Sequence, residues 1–167
     1  MGAIGVRKLV HMAEDFSSGP PPAPIALPNA PSVQPLICYE SLFPGFTPGG
    51  ASRPRWIVNV SNDAWFGQTS GPLQHLNLAS YRAIETGLPV VRATPTGVSA
   101  MIDPWGRVID GHRLNSGESG VIDALLPEPT AATLYGRVGD LLFWLMILGG
   151  MASAAPQVWR QGSRRAR

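Results

Sequence analysis

Thiols, amines and charge are all scarce in this sequence, and each scarcity removes a class of function. A single cysteine, Cys38, among 167 residues excludes an internal disulfide framework and a zinc site built from several thiolates. The three histidines, His11, His75 and His112, lie far apart without ligand spacing, so neither a metal nor a cofactor is expected. Only 14% of residues are charged, against about a quarter in an ordinary soluble domain. Met1–Val10 has two basic residues but no apolar core of signal-peptide length. A chain that starts this way and ends in an apolar run reads as the later part of a longer protein.

The basic balance, pI ≈ 9.1, is a property of the C-terminus. Arg160, Arg164, Arg165 and Arg167 crowd the last eight residues, and without them the chain is slightly acidic. No basic stripe or interleaved aromatic platform remains, which argues against a nucleic-acid partner.

What the sequence does have is a series of short apolar runs separated by turn residues. Prolines 20, 21, 22, 24, 28, 31 and 35 leave neither helix nor central strand expected over Gly19–Pro35, within a connecting segment over 1–35. Leu36–Tyr39 then reads as the buried end of a strand. Pro44–Pro54 is a second loop, and Trp56–Val60 is a β-branched and aromatic run expected to be covered on both faces. Leu73, Leu76, Ala79, Ala83 and Ile84 recur at helical spacing and predict a helix over 73–86, stopped by Gly87-Leu88-Pro89. Pro89–Thr94 is strand-like. Val98–Ile102 and Arg107–Ile109 flank a turn at Asp103-Pro104-Trp105-Gly106, and Gly120–Ala124 suggests one more strand. The order is that of an α/β fold. Leu141–Trp159 carries no charge, and its roughly nineteen residues suffice for a membrane helix. The arginines behind it predict a cytoplasmic tail over 160–167.

Cys38 alone says little, because a lone cysteine is commonly an inert buried residue. Its setting adds meaning. A strand ends, a sharp loop begins, and Tyr39 and Glu40 follow at once. A nucleophile at such an elbow stands above the sheet edge, with the next backbone N–H free to stabilise an oxyanion. Other polar and aromatic residues admit two readings each. Asn62 and Asp63 form either a pocket rim or a plain turn. Trp65 and Phe66 either meet acyl chains or pack under a loop. His75 and Glu85 fall on the helix, where a satisfied structural polar group is the reading preferred, with Arg82 and Arg92 as partners for such carboxylates.

Leu-Ile-Cys-Tyr-Glu-Ser-Leu-Phe-Pro at 36–44 and Asn-Val-Ser-Asn-Asp-Ala-Trp-Phe-Gly at 59–67 resemble blocks of the apolipoprotein N-acyltransferases, a branch of the nitrilase (carbon–nitrogen hydrolase) superfamily. Gly-Pro-Leu-Gln-His at 71–75, Arg-Ala-Ile-Glu-Thr-Gly-Leu-Pro-Val-Val-Arg-Ala-Thr at 82–94, Thr-Gly-Val-Ser-Ala-Met-Ile-Asp-Pro-Trp-Gly at 96–106 and Leu-Tyr-Gly-Arg-Val-Gly-Asp at 134–140 continue the series in order. The resemblance implies the C-terminal part of a nitrilase-type αββα sandwich over 36–140, followed by the membrane helix. It implies Cys38 as the acylated nucleophile, the Tyr39 amide in the oxyanion hole and Glu40 in support. On the first of their two readings, Asn62, Asp63, Trp65 and Phe66 are substrate contacts. The implied partners are a phospholipid acyl donor, a diacylglyceryl apolipoprotein acceptor and the bacterial inner membrane, with the domain on the periplasmic side. The superfamily's base glutamate and its lysine match nothing here. Lys8, the only lysine, lacks the flanking residues of a catalytic one, and Glu14 is an equally poor match. These 167 residues alone are therefore expected to be inactive. Two rival readings are an amidase that passes its thioester to water and a non-catalytic membrane-attached remnant.

Overall fold

The computed structural model describes residues 19–20, 22–48 and 52–165, with side chains described through residue 154. Lys8, His11 and Glu14 lie outside that range. Six strands form one mixed sheet in sequence order: β1 (Ile25–Leu27), β2 (Ala30–Ile37), β3 (Trp56–Val60), β4 (Val90–Ala93), β5 (Ser99–Ile102) and β6 (Val108–Leu114). The middle strands β2, β3 and β4 run parallel, while β1 and the β4–β5–β6 end are antiparallel. Parallel pairing puts the C-terminal ends of β2, β3 and β4 on a single edge, the place where open α/β sheets carry their sites.

The expectation that Gly19–Pro35 holds no central strand is corrected by β2, which contains Pro31 and Pro35 and pairs on both sides. The short β1 faces only Ala30–Val33. Pro35 therefore sits where the side away from β3 is unpaired, and its missing N–H is tolerated. The predicted strand at Gly120–Ala124 is also corrected. The segment has no ladder partner, and Val121 is 90% exposed beyond the sheet's last strand.

Helix α1 (Gly71–Thr86) covers one sheet face. Leu76, Ala79 and Ala83 point inward at i, i+3 and i+7, and the two alanines let the helix lie close to the strands. Strand alternation places Leu36, Ile57 and Val90 beneath it, and Leu88, Val98, Ala100 and Ile102 complete the core. The helix ends in Gly87 at φ +67, a left-handed stop that glycine accepts without strain. Arg53 Nη2 then donates to the Thr86, Gly87 and Thr130 carbonyls at 2.7, 3.1 and 3.0 Å. A cation there satisfies orphan carbonyls and complements the helix dipole. The opposite sheet face is apolar but open, with Ile37 54% and Val60 41% exposed. One sheet with one helix layer is half of an αββα sandwich, consistent with a nitrilase-type fold.

After the short α2 (Leu134–Val138), α3 (Leu141–Arg165) begins at the residue expected of the membrane helix. Among the described residues, however, no helix is long and apolar enough to cross a membrane. The apolar side chains of α3, among them Leu142, Phe143, Trp144 and Leu145, are exposed.

Candidate active site

Cys38 follows the last residue of β2 and opens a 3₁₀ turn, Cys38–Leu42. Its φ is +51, in the left-handed region that costs a non-glycine residue about 1–3 kcal/mol and persists only where surroundings enforce it. Glu40 is part of that enforcement. Its carboxylate turns back to accept the Ile37 N–H at 2.7 Å, closing the loop from outside.

The inner side is held by a buried polar chain. Arg92 Nη2 lies 2.7 Å from Asp63 Oδ2, and Asp63 Oδ1 lies 2.8 Å from His75 Nδ1. Ser61 Oγ donates to the same Asp63 oxygen at 2.9 Å. Arg92 also bonds Asn59 through Nη1, and Asn59 Nδ2 donates to the Leu36 carbonyl at 2.9 Å. The chain ends on the Cys38 carbonyl, which receives Ser41 Oγ at 3.0 Å and has His75 Nε2 at 3.3 Å and Asn59 Nδ2 at 3.5 Å. Ser41, Asn59, Asp63, His75 and Arg92 are each at most 2% exposed. β3 and β4 supply Asn59 and Arg92, whose side chains share the face under α1, and α1 supplies His75. Asp63 stands just beyond β3 with Gly97 packed on it at φ +105. A Cβ at Gly97 would lie 2.8 Å from that of Asp63.

The predicted site residues separate into groups. Cys38, Tyr39, Asp63 and Phe66 meet around His75, with ring centroids 5.6 Å from Tyr39 and 5.8 Å from Phe66. Tyr39, Leu42, Phe66, Gln74, His75 and Leu78 line a cavity of about 80 Å³ there. Asn62 caps a turn by accepting the Ala64 N–H at 3.1 Å, and Thr96 donates to it at 2.9 Å. Trp65 is 88% exposed and packs under nothing. Glu85 pairs with Arg82 at 2.6 Å on α1. Burial raises the Glu85 pKa, and the charge and hydrogen bond of Arg82 oppose that rise. Arg82 and Arg92 both pair with carboxylates, as expected.

The reading of residues in isolation missed Ser41, Asn59 and Ser61, and it missed the link from His75 to the nucleophile's backbone. A signal was present. Asn59 and Arg92 interrupt otherwise apolar buried strands, and a buried polar group needs a partner. Among the described residues no cluster of His, Cys, Asp and Glu could hold a metal ion.

A second, larger cavity of about 530 Å³ opens at the ends of β3 and β4, lined by Val60, Ser61, Ala93, Thr94, Gly97 and Ser99 among others. The sequence matches the carbon–nitrogen hydrolase profile over residues 7–134. The chain belongs to the carbon–nitrogen hydrolase family. The match begins at residue 7, well before β1, so it takes in residues first read as a connection. The chain is 51% identical over 161 residues to the apolipoprotein N-acyltransferase of Caulobacter vibrioides, covering 96% of this chain and 30% of that protein. It is 51% identical over 141 residues to the one of Rhodopseudomonas palustris, covering 84% and 26%. Against the one of Agrobacterium fabrum the figures are 41% over 143 residues, 86% and 27%. The resemblance read from the motifs is thus borne out. The chain spans under a third of the length of these curated relatives.

Proposed function

We propose that these residues are the nucleophile-bearing part of an N-acyltransferase. Cys38 attacks a phospholipid ester and is acylated as a thioester, and the lysophospholipid leaves. The α-amine of a diacylglyceryl-cysteine at an apolipoprotein's N-terminus then attacks the thioester carbonyl, forming the amide and releasing the thiol. A thioester suits both steps because it forms from an ester and reacts well with amines. The observation that carries the reading is Cys38 itself. It is a partly exposed thiol at a left-handed elbow on the sheet's C-terminal edge, in a chain half identical to apolipoprotein N-acyltransferases. Tyr39 supplies the backbone oxyanion donor, and Glu40 holds the elbow. Phe66 and the exposed Trp65 are proposed contacts for acyl chains. Asn62 shapes the neighbouring rim.

Activity requires groups these residues do not supply. A free cysteine thiol has a pKa of about 8.5 and needs a base, and one lost oxyanion donor costs about a hundred- to a thousand-fold. The 167-residue chain alone is therefore proposed to be inactive. The proposed location is the bacterial cytoplasmic membrane. The exposed apolar side chains of α3 meet lipid, and the Cys38 domain faces the periplasm.

The test is a chimera in which this chain replaces the matching 161 residues of the Caulobacter vibrioides relative. With labelled phospholipid and a diacylglyceryl peptide, the chimera should form the N-acyl peptide and the isolated chain should not. Release of free fatty acid alone would favour an amidase-like hydrolase. Turnover by the isolated chain comparable to the chimera's would contradict the assignment of missing groups. An inert chimera would favour the remnant reading.

A further inference from the structure

The carbonyl gripped by the buried chain belongs to the same peptide unit as the proposed oxyanion donor. Cys38 C=O and Tyr39 N–H are two ends of one planar trans peptide, so they point in opposite directions. Ser41 Oγ, His75 Nε2 and Asn59 Nδ2 converge on the carbonyl at 3.0, 3.3 and 3.5 Å from the interior. The Tyr39 N–H is thereby aimed away from the interior. It lies in the first positions of a 3₁₀ turn, where backbone N–H groups have no intrahelical acceptor.

On the reading of Cys38 as an acylated nucleophile, we infer that Asp63, His75 and Arg92 are positioning residues which orient and polarise the Tyr39 N–H through the Cys38 carbonyl. Hydrogen bonds that draw electron density onto a carbonyl oxygen make the N–H of the same peptide a stronger donor. His75 Nε2 lies 3.3 Å from both the Cys38 carbonyl and Ser41 Oγ, the hydroxyl that donates to that carbonyl. The Asp63 carboxylate accepts from Nδ1 and holds the ring at that angle. Arg92 fixes Asp63 and at the same time Asn59, the third group on the carbonyl. His75 touches Cys38 only through its backbone, a different task from that of a base on the thiol. The same contacts hold Cys38 at φ +51, so one network sets both the elbow and the direction of its donor.

The arrangement makes a distinction that a structural role does not. Attack of Cys38 on an activated ester builds a tetrahedral oxyanion, whereas alkylation by iodoacetamide builds none. The ratio of the two rates therefore isolates oxyanion stabilisation from thiol exposure and ionisation. Cys38 is the only cysteine, so both reactions report on it alone in the whole 167-residue chain. The experiment measures acylation by p-nitrophenyl butyrate and alkylation by iodoacetamide at one pH, with a peptide of residues 36–42 as reference. The ratio for the folded chain should exceed the peptide's by about tenfold or more, a fraction of what a full oxyanion donor is worth. His75→Ala should bring it close to the peptide's value. Ser41→Ala, a small deletion that leaves the ion pairs intact, should lower it several-fold. His75→Gln, which keeps a polar amide beside Ser41 Oγ and the carbonyl, should restore most of it. A wild-type ratio no higher than the peptide's, or ratios unchanged in His75→Ala and Ser41→Ala, overturns the inference. A parallel fall of both rates, leaving the ratio unchanged, also overturns it, since that is what loss of structure produces. Failure of the underlying reading looks different: Cys38 would alkylate normally, yet the ester would leave no thioester on it in any variant.

Discussion

Two aspartates in this chain each meet an arginine, and their surroundings give the two pairs different work. Asp63 and Arg92 are both fully buried, and the pair continues into His75 and the backbone of Cys38. Asp103 and Arg107 form a pair of the same 2.7 Å length across the β5–β6 turn, with the arginine 72% exposed. The outer pair ties four residues of one hairpin together. Asp103 accepts the N–H groups of Trp105 and Arg107 at 2.9 and 3.0 Å, and the Gly106 N–H returns to the Asp103 carbonyl at 2.9 Å. The inner pair joins β3, β4 and α1, which are far apart in sequence, around one peptide. Burial is what turns an ordinary ion pair into a part that other parts depend on.

Removing one member of each pair measures that difference. Asp63→Ala leaves Arg92 buried without its counter-charge, and loss of one partner from a buried pair costs about 3–5 kcal/mol. Urea unfolding should show a midpoint far below that of the parent chain. A cost under about 1 kcal/mol would mean that water reaches Arg92 and that the pair is not sealed. Gly97→Ala should act on the same carboxylate from the other side. Its φ of +105 disfavours any side chain, and the new methyl would press on Asp63. The expected cost is about 1–3 kcal/mol, with a drop in Cys38 acylation that Gly111→Ala on β6, also at positive φ with open space around it, should not share. Equal effects at the two glycines would detach Gly97 from the site.

Asp103→Ala should cost only about 1 kcal/mol, the net worth of its hydrogen bonds to the turn. The same aspartate adds a pH signature. Burial works to raise its pKa, but the Arg107 and Trp105 backbone N–H groups and the Arg107 guanidinium outweigh it, so the value falls below the ordinary 3.8. A carboxylate depressed on folding contributes stability above its unfolded value and loses it as pH falls through the folded one. The parent chain should therefore lose this share only in strong acid, below pH ~4. Asp103→Asn should flatten that part of the stability profile. An unchanged acid limb in Asp103→Asn would show that the hairpin's ion pair contributes nothing on folding.

The legible parts of the sequence were those in which one local pattern decides the outcome. Trp56–Val60 became β3 residue for residue, and the 3.6-residue spacing of Leu76, Ala79 and Ala83 placed α1 within two residues of its start. The Asp103–Gly106 turn formed as its proline and glycine predict. Where pairing decides, local pattern misled. Pro31 and Pro35 argue against a strand by propensity, yet β2 is central because β1 is too short to need the proline's missing donor. Gly120–Ala124 has strand propensity but pairs with no strand. At the site, the motif pointed to Cys38 and its flanking residues. The ion-pair chain beneath it was invisible, because Asn59, Asp63, His75 and Arg92 meet only once β3, β4 and α1 have packed. The two polar residues inside apolar strands were the trace it left.

The central claim is that Cys38 carries the acyl group. The most direct measurement is peptide mass spectrometry of the chimera with the Caulobacter vibrioides relative, quenched in acid after incubation with phospholipid alone. The account predicts a fatty-acyl mass on the peptide containing Cys38, released by neutral hydroxylamine as a thioester should be, and absent from Cys38→Ala. An acyl adduct that persists in Cys38→Ala, or acyl transfer that survives that substitution, would contradict it.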